Sequence, residues 1–268
     1  MDGQGLEEVV VVLVEPQDDI NIGTALRAMR NFGVSTLRLV RPASADPGKI
    51  CISAPRCEDV VGDIERYQDL DAALEDCVLT LGMTARRRSA TWKVLEPRQA
   101  ARTVLRETAP GRVAILFGRE DSGLDNACLD RCHAMVTVPT NPDYSSLNLG
   151  QAVTLLMWEL SREAQGIEEG QGLEKHEAES EFDKAAMGGV ERMFERAEAA
   201  LEAIEFFKSD GREHIMRSVR SVFLRARLDT RELAIWHGIF KEVMAYMERQ
   251  GIGGMAPDLG DQSSETKQ

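Results

Sequence analysis

VVVVLVEPQDDINIGTALRAMRNFGVSTLRLVR, residues 9–41, reads as a strand, a polar turn, a helix and a second strand in immediate succession. Its first six residues are apolar without alternation, the pattern of a strand covered on both faces, as in a parallel sheet. Ile22, Leu26, Met29 and Phe32 then recur at helical spacing. Asn21 is able to cap that helix or to face a ligand, and Gly33 is placed to end it. Continuous apolar runs at 78–84, 113–118 and 134–139 predict further strands, and a long helix over 147–160 follows them. The expected fold class is α/β, a parallel sheet covered by helices, over residues 1–165.

Beyond Arg162 the texture changes to EAQGIEEGQGLEKHEAESE, acidic and poor in apolar residues, so 166–181 reads as a flexible acidic linker. Helical periodicity returns over 182–250, where Met193, Phe194 and Ala197, then Val219, Val222 and Phe223, then Leu233, Trp236 and Phe240 predict three helices. The stretch 251–268 reads as a disordered tail. No apolar run approaches the roughly 20 residues that span a bilayer. Five cysteines, Cys51, Cys57, Cys77, Cys128 and Cys132, are an odd number without a secretory signal and read as reduced thiols, so the expected compartment is the cytoplasm.

The chain of 268 residues carries a net charge of −13, which argues against a surface that grips nucleic acid everywhere. The distribution is uneven. Residues 86–106 hold seven basic side chains against one acid, 163–181 hold seven acids against one lysine, and 212–231 hold six arginines against two acids. Most charge runs are solvated helix faces; the two basic windows are nevertheless where RNA contact would have to fall.

Three segments carry residues that packing alone does not require. EPQDDINIGTALRAMRNFG, residues 15–33, sits where a parallel strand ends and a helix begins, the place where open α/β sheets bind ligands. ILFGREDSGLDN, residues 115–126, runs a strand into Gly118, Glu120 and Gly123 before Asp125 starts a helix; it lacks the three-glycine dinucleotide spacing. VPTNPDYSSLNLGQAV, residues 138–153, has two prolines that fix a loop, after which Ser145 or Ser146 can cap the long helix. Cys128, Cys132 and His133 lie close together but lack a fourth metal ligand at recognisable spacing, and core thiols are the plainer reading. His176, His214 and His237 form no triad with a serine.

Together the three segments resemble the motifs of the SpoU branch of the SPOUT methyltransferases, and within it the TrmJ-type tRNA 2′-O-ribose methyltransferases. The resemblance rests on Asn21, Gly23, Arg27 and Gly33, on FGRE with Gly123, Leu124 and Asn126, and on NPDYSSLNL. It extends through GMTARRRSATW (82–92), CHAMVTVP (132–139) and FLRARLDTRELAIWHGI (223–239). It implies a deep trefoil knot, a small C-terminal helical domain, a homodimer with a shared substrate pocket, and S-adenosylmethionine as cofactor. Carried over by position, Met83, Thr84, Ala85, Gly118, Glu120, Val138, Ser145, Ser146 and Leu147 would hold the cofactor. Arg27 would be catalytic with Asn21 and Ser146. The substrate implied is cytidine or uridine at nucleotide 32 of the tRNA anticodon loop.

Arg86, Arg87 and Arg88 and the helical Arg217, Arg220, Arg225 and Arg227 are the candidate RNA contacts. Arginine does not readily release a proton in a protein, so Arg27 is better read as a cation that stabilises the developing alkoxide, with no metal needed. PQDDI departs from the resemblance; its two acids stand where a proline and glycine are more common, and are expected to weaken phosphate approach or alter the nucleotide admitted. The same motifs serve another RNA such as rRNA, and a knotted RNA-binding module without catalysis is the rival from a different class.

Overall fold

A computed structural model describes residues 5–85, 93–109, 111–166, 182–208 and 211–250. The chain runs β1 (Val9–Val14), α1 (Asp19–Asn31), β2 (Thr36–Val40), α2 (Pro47–Ser53), α3 (Glu58–Val61), β3 (Glu65–Tyr67), α4 (Leu70–Leu74) and β4 (Cys77–Met83). It continues through β5 (Lys93–Leu95), α5 (Pro97–Glu107), β6 (Arg112–Phe117), α6 (Asn126–Leu129), β7 (Ala134–Val136) and α7 (Leu149–Ala164). Three helices close it: α8 (Met187–Ala203), α9 (Arg212–Ala226) and α10 (Thr230–Arg249). The strands form one sheet in the order β3-β2-β1-β6-β4-β7-β5, every pair parallel.

All six residues of β1 are buried because both faces of the sheet are covered. Val9, Val11 and Leu13 face a core completed by α1, α2, α5 and α7. Val10, Val12 and Val14 face the opposite core, built with α4, α6 and α8. The C-terminal segment therefore begins as a covering helix of the sheet: Met187, Val190, Met193 and Phe194 of α8 are buried there. Phe194 meets the Phe223 ring edge-on at 6.0 Å, and the Arg220 guanidinium lies 4.5 Å from its ring centre. Helices α9 and α10 follow in sequence.

The sequence does not announce β3 and β5. Each is three residues long at an edge of the sheet and partly exposed, so neither needs a continuous apolar run. Helix starts differ as well. Asp18, not Asn21, caps α1 by accepting from the Ile20 N–H at 2.9 Å. Asn148, not Ser145 or Ser146, caps α7, which starts at Leu149; a reciprocal bond from its own N–H to Gln151 completes a capping box. Gly23 is required by packing, since a Cβ there would stand 2.2 Å from the Ile50 carbonyl oxygen of α2.

Replacing Phe194 by alanine is expected to cost about 3–5 kcal/mol, the usual loss for a buried aromatic ring. Because the ring joins α8 to the sheet and to α9, thermal melts followed at Trp158 and at Trp236 should fall together. A drop confined to Trp236 would show that α8 is not part of the sheet's core.

Candidate active site

Motif-bearing loops leave the carboxyl ends of β1 and β6, which are neighbours at the point where the strand order turns outward in both directions. Such a switch point opens a crevice, because the chain departs to opposite sides. Loop 118–124 after β6 is tightly folded: Arg119 and Gly123 form an antiparallel bridge, and Gly123 adopts φ +70°. A Cβ on Gly118 would lie 2.2 Å from the Gly123 carbonyl carbon, so only glycine lets the loop close on itself.

A cleft of about 260 Å³ lies over the ends of β6, β4 and β7. Met83, Thr84, Ala85, Gly118, Glu120, Val138, Ser145, Ser146 and Leu147, nine residues singled out in the sequence, all line it. The Thr84 N–H donates to the Val136 carbonyl at 3.0 Å, fixing the floor between β4 and β7. Phe117, Leu124, Leu149 and Ala152 add apolar wall; the first three lie in the quoted motifs, but the sequence reading assigned none of the four to the cofactor. The result is an apolar slot beside the charged and polar side chains of Arg119, Glu120, Asp121 and Ser122, a form that suits a molecule with a flat ring and a polar, charged tail.

One hydrogen-bonded chain ties the three segments together. The Glu120 carboxylate accepts from the Gln17 N–H at 2.9 Å and from the Asn21 side-chain amide at 3.0 Å. The Asn21 side-chain oxygen accepts from the Asn148 amide at 3.1 Å, and the Asn148 oxygen accepts from the Gly150 N–H at 2.9 Å. Asn148 thus both caps α7 and joins the chain.

Arg27 stands apart from this cleft. It lies six residues beyond Asn21 on α1, about 9 Å along the axis at helical rise, and is exposed with no ion pair among the described residues. Ile20, one heptad earlier on the same face, is also exposed, as are Ile52, Tyr144 and Trp158. Ser146 is exposed at the mouth of the cleft.

Four helical arginines expected to meet RNA divide sharply. The Arg217 Nε–H donates to both Asp130 carboxylate oxygens at 2.8 and 2.9 Å, Arg220 pairs with Glu191 at 2.7 Å, and Arg227 pairs with Glu107 at 2.5 Å. These three bind the helical extension internally or to the sheet unit, which leaves their charge already compensated. Arg225 alone of the four is exposed, its Nε donating to the Ser221 carbonyl. Arg86, Arg87 and Arg88 lie outside the described residues, as do most of the linker and the whole tail.

The two acids of PQDDI also have structural work. Asp18 caps α1, and buried Asp19 accepts from the Ser44 hydroxyl at 2.9 Å and the Asp46 N–H at 3.2 Å. His133 is buried with Nδ1 accepting from the Thr80 N–H, and burial pushes its imidazole down to about 3. Burial likewise pushes the Cys128 thiol up to about 12. Among the described residues, no group of three His, Cys, Asp or Glu is placed to hold a metal ion, and no helix is long and apolar enough to cross a membrane.

Residues 8–158 match the sequence model of the SpoU rRNA Methylase family, and residues 189–252 match that of the tRNA methyltransferase TrmJ C-terminal domain. The chain is 36% identical over 238 residues to the tRNA (cytidine/uridine-2'-O-)-methyltransferase TrmJ of Pectobacterium atrosepticum, spanning 89% of this chain and 97% of that protein. It is 34% identical to the protein of the same name from Escherichia coli K12, covering 94% of this chain and 99% of that one. The crystal structure of TrmJ from Z. mobilis superposes with a TM-score of 0.76 at 31% identity, covering 88% of this chain and 98% of that one.

Asn148→Ala should destabilise the protein by about 1 kcal/mol through loss of the cap, whereas Ser146→Ala should leave stability within about 0.5 kcal/mol. Urea unfolding of both variants checks this; equal losses would return the cap to the serine.

Proposed function

Because the chain belongs to the SpoU rRNA Methylase family, we propose that it transfers the methyl group of S-adenosylmethionine to a ribose 2′-hydroxyl of tRNA, at cytidine or uridine 32 of the anticodon loop. The observation that carries this is the cleft formed by residues of 83–85, 117–124 and 138–152, with segment 15–33 tied to its wall through the Glu120–Asn21–Asn148 chain. Its apolar slot suits an adenine ring, and its polar mouth at Ser145 and Ser146 suits the methionine end. When bound there, S-adenosylmethionine supplies a methyl on a positive sulfur.

The work left to the protein is alignment, stabilisation of charge on the attacking oxygen, and disposal of one proton. The ribose oxygen forms a bond to the methyl carbon as the carbon–sulfur bond breaks, and the hydroxyl proton passes to water or to a neighbouring phosphate. Ser146, at the mouth of the cleft, and Asn21, which does not line it but is bonded to Glu120 of its wall, would orient the hydroxyl and the methionine end. Arg27 supplies a fixed cation for the alkoxide and for phosphate.

Within one protomer Arg27 does not line the cleft, so the reading includes a homodimer in which each subunit's Arg27 reaches the partner's site. The exposed Ile20, Ile52, Tyr144 and Trp158 give that pairing an apolar surface. The knotted crossing, the cytoplasmic setting and the division into a methyl-transfer unit at 1–165 and an RNA-recognition extension at 182–250 belong to the same proposal. With Arg217, Arg220 and Arg227 paired internally, Arg86, Arg87, Arg88 and Arg225 are the better RNA contacts.

Arg27→Ala should abolish methylation while the affinity for S-adenosylhomocysteine by calorimetry stays within roughly threefold, the signature of a group acting on the acceptor rather than the donor. Parallel loss of affinity and activity would contradict that role. Mapping 2′-O-methyl groups on bulk tRNA treated with the pure protein tests the substrate; methylation confined to rRNA fragments would overturn it.

A further inference from the structure

Loop 118–124 has a second cleft on its far side, about 290 Å³ in volume, with walls that include Val14, Glu15, Arg119, Leu124, Asn126 and Cys128. Arg119, Ser122, Gly123 and Leu124 line both clefts, so only the thickness of the loop separates them. Met83, Phe117 and Leu149 place the first cleft on the face covered by α7. Val14, Leu124 and Cys128 place the second on the face covered by α8. A ligand that occupies both has to straddle the loop across the carboxyl edge of the sheet.

The walls of the second cleft carry two carboxylates, Glu15 and Asp125, against one guanidinium, Arg119. The Glu15 carboxylate takes the Arg41 guanidinium at 2.9 Å and the Arg119 guanidinium at 3.4 Å. Arg119 also forks onto Asp121 at 3.0 and 2.8 Å. Such a cleft has no surplus cation for a phosphate. It offers a planar guanidinium, two carboxylates, a hydroxyl and an amide beside the apolar Val14, Leu124 and Cys128. That combination suits a heterocycle with apolar faces and both donors and acceptors along its edge, which describes a nucleobase out of its stack.

Backbone conformation supports a site held in advance. Glu15 and Arg41 adopt φ +51° and +45°, a left-handed conformation that costs a side-chain-bearing residue about 1–2 kcal/mol. Both stand just past the ends of neighbouring strands. The Glu15 N–H donates to the Val40 carbonyl at 2.8 Å and the Arg41 N–H to the Tyr67 carbonyl at 2.9 Å, so the sheet imposes the geometry. Strain maintained in two residues that then pair at the rim of a cleft is a cost that packing alone does not require.

We propose that the second cleft receives the unstacked base of a nucleotide adjoining the acceptor, with Glu15, Arg119 and Asn126 reading its edge. This rests on the RNA methylation reading and deepens it: the acceptor ribose lies over the first cleft, and the neighbouring base drops on the other side of loop 118–124.

The test compares methyl transfer to RNA hairpins carrying the anticodon loop, either intact or abasic at the nucleotide on one or the other side of the acceptor. With the wild-type protein, removing one of the two bases should lower kcat/KM about tenfold, the scale of a lost base contact. Asn126→Trp, which fills the cleft from its rim, should lower kcat/KM on the intact hairpin by a similar factor and leave the abasic hairpin unaffected. Its affinity for S-adenosylhomocysteine should match the wild type. Equal transfer to intact and both abasic hairpins, or an equal loss on both kinds in Asn126→Trp, would overturn the inference. Failure of the wild type to methylate any hairpin, with bulk tRNA also unmodified, would overturn the parent reading and this one with it.

Discussion

The Glu120 carboxylate is the constraint on which the site depends. A carboxylate that collects a backbone N–H and a side-chain amide forces the Asn21 amide to turn its NH2 toward Glu120 and its oxygen toward Asn148. Asn148 must then donate through its nitrogen, which leaves its oxygen for the N–H groups at the start of α7. Polarity thus runs one way from the end of β6, through α1, to α7. The bonds join residues 99 and 127 positions apart in the chain. Hydrogen bonds that involve a charged partner contribute about 1.5–3 kcal/mol. One long-range bond of this kind, from Asn21 to Glu120, and one neutral amide–amide bond, from Asn148 to Asn21, join three otherwise independent loops.

The sheet supplies the second constraint. Its central strands are buried on both faces, and one of those faces is completed by α8, so the C-terminal segment is bound to the methyl-transfer unit from its first helix. The arginines that follow extend the same attachment: Arg217 reaches Asp130 at the end of α6, and Arg227 reaches Glu107 at the end of α5. An acidic chain can place many arginines in such pairs and still leave little basic surface. The basic charge of residues 212–231 is therefore mostly structural.

Five of the seven strands were legible in the sequence because burial on both faces leaves an uninterrupted apolar run. The two edge strands were not, since three residues paired on one side need no such signal. Nine cleft residues were legible through motif resemblance, and all reach one place. The caps were not: Asn21 and Ser146 are both good capping residues, but Asp18 and Asn148 hold those positions, and a sequence does not show which of two adjacent polar residues faces the helix. The place of Phe117, Leu149 and Ala152 in the cleft wall was not legible, because an apolar wall of a cleft and an apolar core have the same composition. Pairings such as Arg220 with Glu191 depend on how α9 lies against α8, which no local pattern encodes.

The most direct test is a double-mutant cycle between Asn21 and Glu120, read as calorimetric affinity for S-adenosylhomocysteine. If their bond sets the cleft, Asn21→Ala and Glu120→Ala should each weaken binding by roughly tenfold, and the double variant should be no weaker than either single one. Losses that multiply in the double variant would show that the two side chains act separately, and the account of a single chain organising the site would fail.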